Sequence, residues 1–262
     1  MTDDAPATPA PPAPQRVLPR WLTAGRLALG ISVVALGLAS APYLAKREFG
    51  GQVRDYLLAN PQVFDEVMAA RQAAEDGARV EQVNAAIASN PSLLEHDPRD
   101  PSIGPLEATI VVHEFFDYRC PGCKAVAPEF TQVVLANPDV RFVFKEWPIL
   151  DRGDDTTSQY AARAALAAQA QGRYLPVHQA LMAEPSLTQE SIDRILADNG
   201  VALRQAESTI ASPETTRHIA DIHAAAEGLQ LTGTPTFIIN GKVTASIAPA
   251  DVAAAIAAAR GS

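Results

Sequence analysis

Two cysteines stand close enough together to form a redox-active pair. The 262-residue chain contains two cysteines, and both lie in the tetrapeptide Cys120-Pro121-Gly122-Cys123. At this spacing, at the start of a helix, two thiols can close and open a disulfide with little backbone movement. The unpaired N–H groups and the positive end of the helix dipole favour the thiolate of the first cysteine. Because the thiolate is the nucleophile of thiol–disulfide exchange, the motif predicts that chemistry.

Metal binding is the main alternative chemistry for a CxxC motif. Structural zinc normally takes four Cys or His ligands. His218 and His223 have a spacing compatible with zinc, but they lie far downstream and fit better as polar positions on an amphipathic helix. We therefore expect no metal and no cofactor at the motif. A non-catalytic clamp for a soft metal, for example Cu(I), is the remaining alternative in this class.

Length and charge limit the range of functions. The chain is long enough for one domain with a proper core and further additions. Its net charge of −9 argues against a nucleic-acid partner and favours solubility.

The N-terminal region is predicted to contain a tail and a membrane anchor. Residues 1–26 form a Pro/Ala-rich tail that is not expected to fold. Residues 27–45 carry no charge and are long enough, as a helix, to cross a bilayer core. Arginines precede this segment at positions 16, 20 and 26, so the tail should stay in the cytoplasm while the rest is exported.

A cleaved signal peptide is the alternative to a permanent anchor. Ala39-Ser40-Ala41 matches the small-residue pattern of a cleavage site. However, Pro42 would directly follow the cut, and we therefore favour the uncleaved anchor. In both cases the domain lies outside the cytoplasm, where disulfides persist.

Residues 46–100 are predicted to be helical and separate from the C-terminal part of the chain. Asn60-Pro61 and Asn90-Pro91 each place a capping Asn before a Pro at the first helical position. Between them, apolar residues recur in steps of three and four and form a narrow stripe. This pattern fits either a helix that packs on its own domain or a stalk that forms a homo-oligomer. The stripe consists of Val67, Ala70, Ala74, Val80, Val83 and Ile87.

Residues 101–262 are predicted to form an α/β domain with a mixed sheet. After a loop over 96–105, residues 109–116 are typical of a buried central strand, and a helix from Pro121 to about Ala136 should follow the motif. A second strand covers 140–145, and residues about 152–228 are helical by periodicity. A hairpin across Asn240-Gly241 and a helix over 249–259 complete the domain.

Three stretches of sequence resemble a known superfamily. Residues 114–124 (EFFDYRCPGCK), Pro128, and the stretch Gly233-Thr234-Pro235-Thr236-Phe237 are similar to the thioredoxin superfamily. The helical segment before the hairpin is similar to the DsbA-like branch of bacterial envelope thiol:disulfide oxidoreductases. The N-terminal helices and residues 145–149 resemble ScsC-type proteins of that branch. The resemblance implies a thioredoxin-like fold with an inserted helical subdomain, and a location in the periplasm or anchored to the inner membrane.

The resemblance also implies roles for individual residues. Cys120 would be the nucleophile and Cys123, one turn further in, would resolve the mixed disulfide. Glu114 is a charge in an apolar strand, so burial should raise its pKa, and the family places an acid there to relay a proton to Cys123. The Thr234–Pro235 bond would be cis.

In the superfamily, this cis proline keeps the preceding backbone free to pair with a client strand. The stretch Gly233-Thr234-Pro235 would thus bind the client. The clients would be exported proteins with cysteines, served by a DsbB-like or DsbD-like redox partner in the inner membrane.

The direction of the reaction stays open from sequence. Pro121-Gly122 lacks the histidine of the strong oxidase, so a redox potential between those of DsbA and thioredoxin is expected. An oxidase and an isomerase or reductase on the same fold are both compatible with the motif. Thr234 before the proline and an oligomerising stalk would favour the second.

Overall fold

The computed structural model describes residues 20–261, without the side chains of residues 20–24, 26–27 and 41–48. Most of the tail predicted over residues 1–26 therefore lies outside the described residues. The chain divides into two compact units, residues 1–70 and 71–262.

Two long helices dominate the N-terminal region: α1 is Arg20–Ala59 and α2 is Gln62–Ser89. Among the residues that the structure describes, none of the helices combines the length and hydrophobicity that crossing a membrane requires. Of the anchor predicted over 27–45, the side chains of Leu27 and residues 41–45 lie outside that description.

A five-stranded mixed sheet with strand order β1-β3-β2-β4-β5 forms the centre of the second unit. The strands are β1 (Ser102–Ile103), β2 (Val111–Phe116), β3 (Arg141–Glu146), β4 (Thr236–Ile239) and β5 (Lys242–Val243). Strands β2 and β3 are parallel, whereas β4 runs antiparallel to β2. The prediction of a plain loop over 96–105 was wrong, because β1 pairs antiparallel with β3 there. Two residues are too few to show an alternating pattern.

Helices cover both faces of this sheet. After β2 comes α3 (Pro121–Ala136), and five helices separate β3 from β4. These five are α4 (Thr157–Gln169), α5 (Tyr174–Ala183), α6 (Gln189–Asp198), α7 (Leu203–Ile210) and α8 (Pro213–Gly228). The chain continues through the β4–β5 hairpin to α9 (Pro249–Ala259), which has the bounds that the sequence predicted.

The two faces of β2 differ in what they bury. Val112 and Phe116 belong to a core shared with α3–α6 and α9. Phe115, on the opposite face, packs in a second core with residues of α2 and α8. Because both faces are covered, every residue of β2 after Val111 is buried, as predicted for a central strand. Glu114 shares the first face, on which α3 packs.

A buried ion pair lies on the opposite face. The Lys145 ammonium contacts the Asp100 carboxylate, with both side chains almost fully buried. His218 approaches the same carboxylate, with Nε2 3.2 Å from Oδ1 of Asp100. His218 is thus a buried residue against the sheet, which the expected polar position on α8 did not anticipate. These contacts attach the segment before β1 to β3 and α8.

Candidate active site

A tight turn delivers Cys120 from the end of β2 to the start of α3. The backbone N–H of Cys120 donates to the carbonyl oxygen of Asp117 at 3.0 Å. The buried Asp117 carboxylate accepts hydrogen bonds from the Arg119 N–H at 2.7 Å and the Ser158 hydroxyl at 2.9 Å. Its second oxygen accepts the N–H of Ile149 at 2.8 Å. Asp117 therefore fixes the turn to the loop after β3 and to α4, a role that sequence reasoning missed.

The two cysteines differ in access to solvent. Cys120 is the N-cap residue of α3, with Pro121 at the first helical position. Its exposed fraction is 8%, whereas that of Cys123 is 0%, and both thiols are free. Cys120 is thus slightly exposed, whereas Cys123 is fully buried.

Hydrogen bonds separate the pKa values of the two thiols. The hydrogen bond from the Cys123 thiol is the largest cause that lowers the pKa of Cys120 to about 5. The Thr234 side chain and the backbone N–H groups of Cys123 and Gly122 add to it. The same bond to Cys120, together with burial, raises the pKa of Cys123. Cys120 is thus the thiolate at neutral pH, and the neighbouring thiol contributes more to this than the sequence argument assumed.

A cis peptide bond lies directly against the motif. The Thr234–Pro235 bond is cis. The Cys120 thiol, when protonated, donates to the carbonyl oxygen of Thr234 at 3.2 Å. A Cβ added to Gly122 would lie 3.4 Å from Cδ of Pro235 and 3.7 Å from Sγ of Cys120. Thr234 and Pro235 therefore lie directly beside Cys120 and Gly122, next to the CxxC motif, as the resemblance implied.

Glu114 is a buried carboxyl in the central strand β2. It is 3% exposed, and its cross-strand neighbours are Phe144 on β3 and Phe237 on β4. This apolar setting raises the pKa of Glu114 to about 8, because burial disfavours the charged form. The Glu114 charge in turn raises the pKa of Cys123, so the two groups interact. One carboxyl oxygen of Glu114 has no hydrogen-bond partner.

A second buried acid, which sequence reasoning missed, lies on the same face. Glu146 ends β3, and its Oε1 accepts hydrogen bonds from the hydroxyls of Tyr118 and Tyr174, each at 2.9 Å. Burial raises its pKa. The sequence could have revealed this acid, because Glu146 is a charged residue at the end of an apolar strand. Glu114 is likewise a charged residue within an apolar strand. Only the parallel register shows that the two acids share a face.

Lys124 connects α3, the helix that follows the CxxC motif, with α5. Its ammonium donates to the carbonyl oxygens of Leu181 at 3.0 Å and Glu184 at 2.7 Å, at the C-terminal end of α5. Burial lowers the pKa of Lys124. The ammonium therefore satisfies carbonyls that the end of a helix leaves unpaired. Within the described part of the chain, no three His, Cys, Asp or Glu side chains are arranged to hold a metal ion.

Two curated proteins are similar to this chain over about half of its length. The Na(+)/H(+) antiporter NhaA 3 of Salinispora tropica is 32% identical over 148 residues, which are 56% of this chain and 22% of the antiporter. The chain thus spans only about a fifth of that relative's length (22%). The thiol:disulfide interchange protein DsbA of Haemophilus influenzae is 30% identical over 138 residues, covering 50% of this chain and 66% of that protein.

A solved structure shares the fold, and its sequence identity to this chain is higher than that of the two curated relatives. A thioredoxin-like oxidoreductase from Silicibacter pomeroyi superposes with a TM-score of 0.58 at 37% identity, covering 63% of this chain and 95% of that one. Residues 46–75 match the copper resistance protein ScsC N-terminal domain. Residues 111–258 match the DSBA-like thioredoxin domain. Since the latter match covers more than half of the chain and includes both cysteines and the cis proline, the chain belongs to the DsbA-like thioredoxin-domain family, with a ScsC-type N-terminal segment.

Proposed function

We propose that this chain is an envelope thiol:disulfide oxidoreductase that forms or rearranges disulfides in exported proteins through Cys120 and Cys123. The observation that carries the proposal is the contact between the Cys120 thiol and the Thr234 carbonyl before the cis proline. It supports the proposal because a thiol of low pKa lies beside the backbone that, in the proposed scheme, a client strand pairs with. Family membership supports the same chemistry.

The two cysteines divide the reaction between them. The Cys120 thiolate attacks a client disulfide, or a client thiolate attacks Cys120 in the enzyme disulfide. Either attack gives a mixed disulfide through Cys120, because Cys123 is inaccessible to clients. When Cys120 attacks a client disulfide, Cys123 gives its proton to Glu114 and resolves the mixed disulfide. When a client thiolate attacks the enzyme disulfide, Cys123 is the leaving group and takes a proton from Glu114, and a second client thiolate resolves the mixed disulfide. The pKa of about 8 of Glu114 suits proton exchange in both directions near neutral pH.

Cysteine variants of the purified chain test this proposal. Cys120→Ser should abolish dithiol–disulfide exchange with a cysteine-containing peptide. Cys123→Ser should instead accumulate the mixed disulfide, visible as an adduct in mass spectrometry, because attack proceeds and resolution does not. Equal, unreactive behaviour of the two variants would contradict the assignment of roles.

Isomerase or reductase activity is the second candidate, and the N-terminal helices favour it. Large apolar side chains of α1 and α2 are exposed within residues 49–68, where a stalk that forms homo-oligomers would need them. They are Phe49, Val53, Tyr56, Leu58, Phe64, Val67 and Met68. A reducing CxxC potential together with a dimeric or trimeric mass in solution would favour the isomerase; an oxidising potential in a monomer would favour the oxidase.

We also propose a location in the periplasm, with residues 27–45 as an uncleaved inner-membrane anchor and a DsbB-like or DsbD-like redox partner in that membrane. The absence of charges over 27–45 and the preceding arginines support it. The mature protein should then fractionate with the inner membrane and keep its first residues. Soluble protein that begins near Pro42 would instead support the cleaved, soluble periplasmic form.

A further inference from the structure

Two side chains connect the buried carboxyl of Glu146 with the protein surface. The Tyr118 hydroxyl contacts Oε1 of Glu146 at 2.9 Å and Nδ1 of His178 at 3.0 Å. Tyr118 and Glu146 are each 1% exposed, so this link is closed to solvent. His178 is one of the residues that line a cavity of about 320 Å³ between α3 and α5, together with Pro128 and Gln132. The three polar groups thus form a continuous chain of contacts from the buried Glu146 to a residue that lines this cavity.

The donors along this path have one consistent direction. A tyrosine hydroxyl has a single hydrogen to donate. Since Tyr118 donates it to Glu146, Nδ1 of His178 must carry a hydrogen and donate to the Tyr118 oxygen. Burial lowers the pKa of His178 to about 3, so the ring is neutral and Nε2 keeps a free lone pair. In each link the hydrogen is therefore carried by the outer group and points towards Glu146.

Glu114 is the group that this path can serve. In the parallel register, Glu114 pairs with Phe144 and Phe116 pairs with Glu146, so both acids project from one face as diagonal neighbours. Burial raises the pKa of Glu146 and the Glu114 charge adds to this rise, so the two carboxyls interact electrostatically. Each acid has an oxygen, Oε2, without a hydrogen-bond partner. Cys123 is fully buried, so its proton needs a route of this kind.

We propose that Tyr118 and His178 form a proton relay that connects the acids Glu114 and Glu146 with solvent in the cavity between α3 and α5. The inference rests on the proposed function and deepens it, because it names the source of the proton that Cys123 exchanges. Tyr118 and His178 contact neither the client nor the sulfurs in this scheme; they act through the two acids.

The step balances as a chain of single proton transfers. When a client thiolate attacks Cys120 of the enzyme disulfide, a new S–S bond forms, the bond to Cys123 breaks, and Cys123 leaves with the electron pair. Cys123 takes a proton from Glu114, which regains one from Glu146. Glu146 takes the hydrogen of Tyr118, and Tyr118 takes the Nδ1 hydrogen of His178. Nε2 of His178 then takes a proton from water, which leaves a hydroxide ion in the solvent. Each transfer breaks and forms one O–H, N–H or S–H bond, and the resolving step of the reverse direction uses the same path.

The two tyrosines provide a matched pair of variants. Tyr118→Phe and Tyr174→Phe each remove one buried hydroxyl that donates to the same Glu146 oxygen over 2.9 Å. Only Tyr118 also bonds to Nδ1 of His178. His178→Asn completes the set of variants. The asparagine amide keeps a donor near the position of Nδ1, but it has no counterpart of Nε2.

The experiment measures the single-turnover rate at which a cysteine-containing peptide reduces the oxidised full-length protein. The rate is measured from pH 5 to 9, in H₂O and in D₂O, and at several imidazole concentrations. Tyr118→Phe and His178→Asn should slow the reaction by roughly tenfold or more, with a larger solvent isotope effect. Their rates should also rise with imidazole, which replaces the relay as a proton source. Tyr174→Phe should stay within about threefold of the wild type and be insensitive to imidazole.

Urea unfolding of each variant shows whether a slow rate merely reflects lost stability. Equal slowing by Tyr118→Phe and Tyr174→Phe, or rates of Tyr118→Phe and His178→Asn that ignore imidazole, would overturn the relay while leaving the proposed function intact. A wild-type protein that does not exchange disulfides at all would overturn the proposed function, and with it the reaction that the relay serves.

Discussion

Sγ of Cys120 lies 3.2 Å from the carbonyl oxygen of Thr234, although 114 positions separate the two residues in the chain. This contact joins the helix that carries the nucleophile to the backbone before the cis proline. A client strand that pairs with that backbone would present its own sulfur to Cys120 before it could reach Cys123. The proposed order of attack is thus supported by the fold as well as by the thiol pKa values.

The low pKa of Cys120 should depend on the thiol of Cys123. Since the hydrogen bond from Cys123 is its largest cause, Cys123→Ala should raise the pKa of Cys120 above its wild-type value of about 5. The pH dependence of alkylation by iodoacetamide measures this midpoint in the reduced protein. Cys123→Ser keeps a donor and should shift the midpoint less. A midpoint in Cys123→Ala that equals the wild-type one would show that the helix terminus alone sets the pKa.

Glu114 should make the protein less stable as the pH rises. Burial raises its pKa from the ordinary 4.5 to about 8, so between these values the folded state holds a proton that the unfolded chain has released. The unfolding free energy of the wild type should therefore fall relative to Glu114→Gln across this window, by up to about 1.4 kcal/mol per pH unit. Below pH 4.5 the two proteins should show no relative slope.

Urea unfolding of both reduced proteins from pH 4 to 9 measures this difference. The same Glu114→Gln variant should slow the resolution of the mixed disulfide by about tenfold or more, because the amide cannot carry a proton. The initial attack by Cys120 should change much less. If the unfolding free energies of the two proteins changed in parallel with pH, the raised pKa of Glu114 would be contradicted. If the variant resolved the mixed disulfide at the wild-type rate across the pH range, Glu114 would have only a structural role.

Breaking the buried ion pair should destabilise the domain strongly. Lys145→Met leaves the Asp100 carboxylate buried without its ammonium partner, and such a loss costs about 3–5 kcal/mol. The double variant Asp100→Asn/Lys145→Met removes both charges and should recover most of that loss. Denaturant unfolding of Asp100→Asn, Lys145→Met and the double variant gives the coupling free energy between the two residues. Additive effects of the two substitutions would mean that the pair contributes little.

Gly104 should tolerate no side chain. It has a φ of +101°, and an added Cβ would collide with the backbone carbonyl oxygen of Val140. Gly104→Ala should therefore lower the unfolding free energy by about 2–4 kcal/mol. Gly153 is the matched control, since its φ is +58° but nothing lies within 4 Å of an added Cβ. Gly153→Ala should cost about 1–2 kcal/mol; equal losses in both would contradict the collision.

Several features of the site were predictable because local sequence determines them. Pro121 at the first helical position places Cys120 at the cap, so the helix start and the order of the two thiols follow from adjacent residues. The bounds of α9, Pro249–Ala259, follow from a proline at the helix start and an alanine-rich run. The cis state of Pro235 came from resemblance to the superfamily, since few X-Pro bonds are cis.

Other features depend on pairing between distant segments, which local patterns do not specify. The sequence shows Glu114 and Glu146 as charges in or beside apolar strands, but only the parallel register of β2 and β3 brings them to one face. The link from Tyr118 to His178 needs α5 to pack against that face, and β1 exists only through its pairing with β3. The sequence alone therefore determined the chemistry and its two sulfurs. The tertiary structure decided which buried groups surround them, because strand register and helix packing are set by contacts across the whole chain.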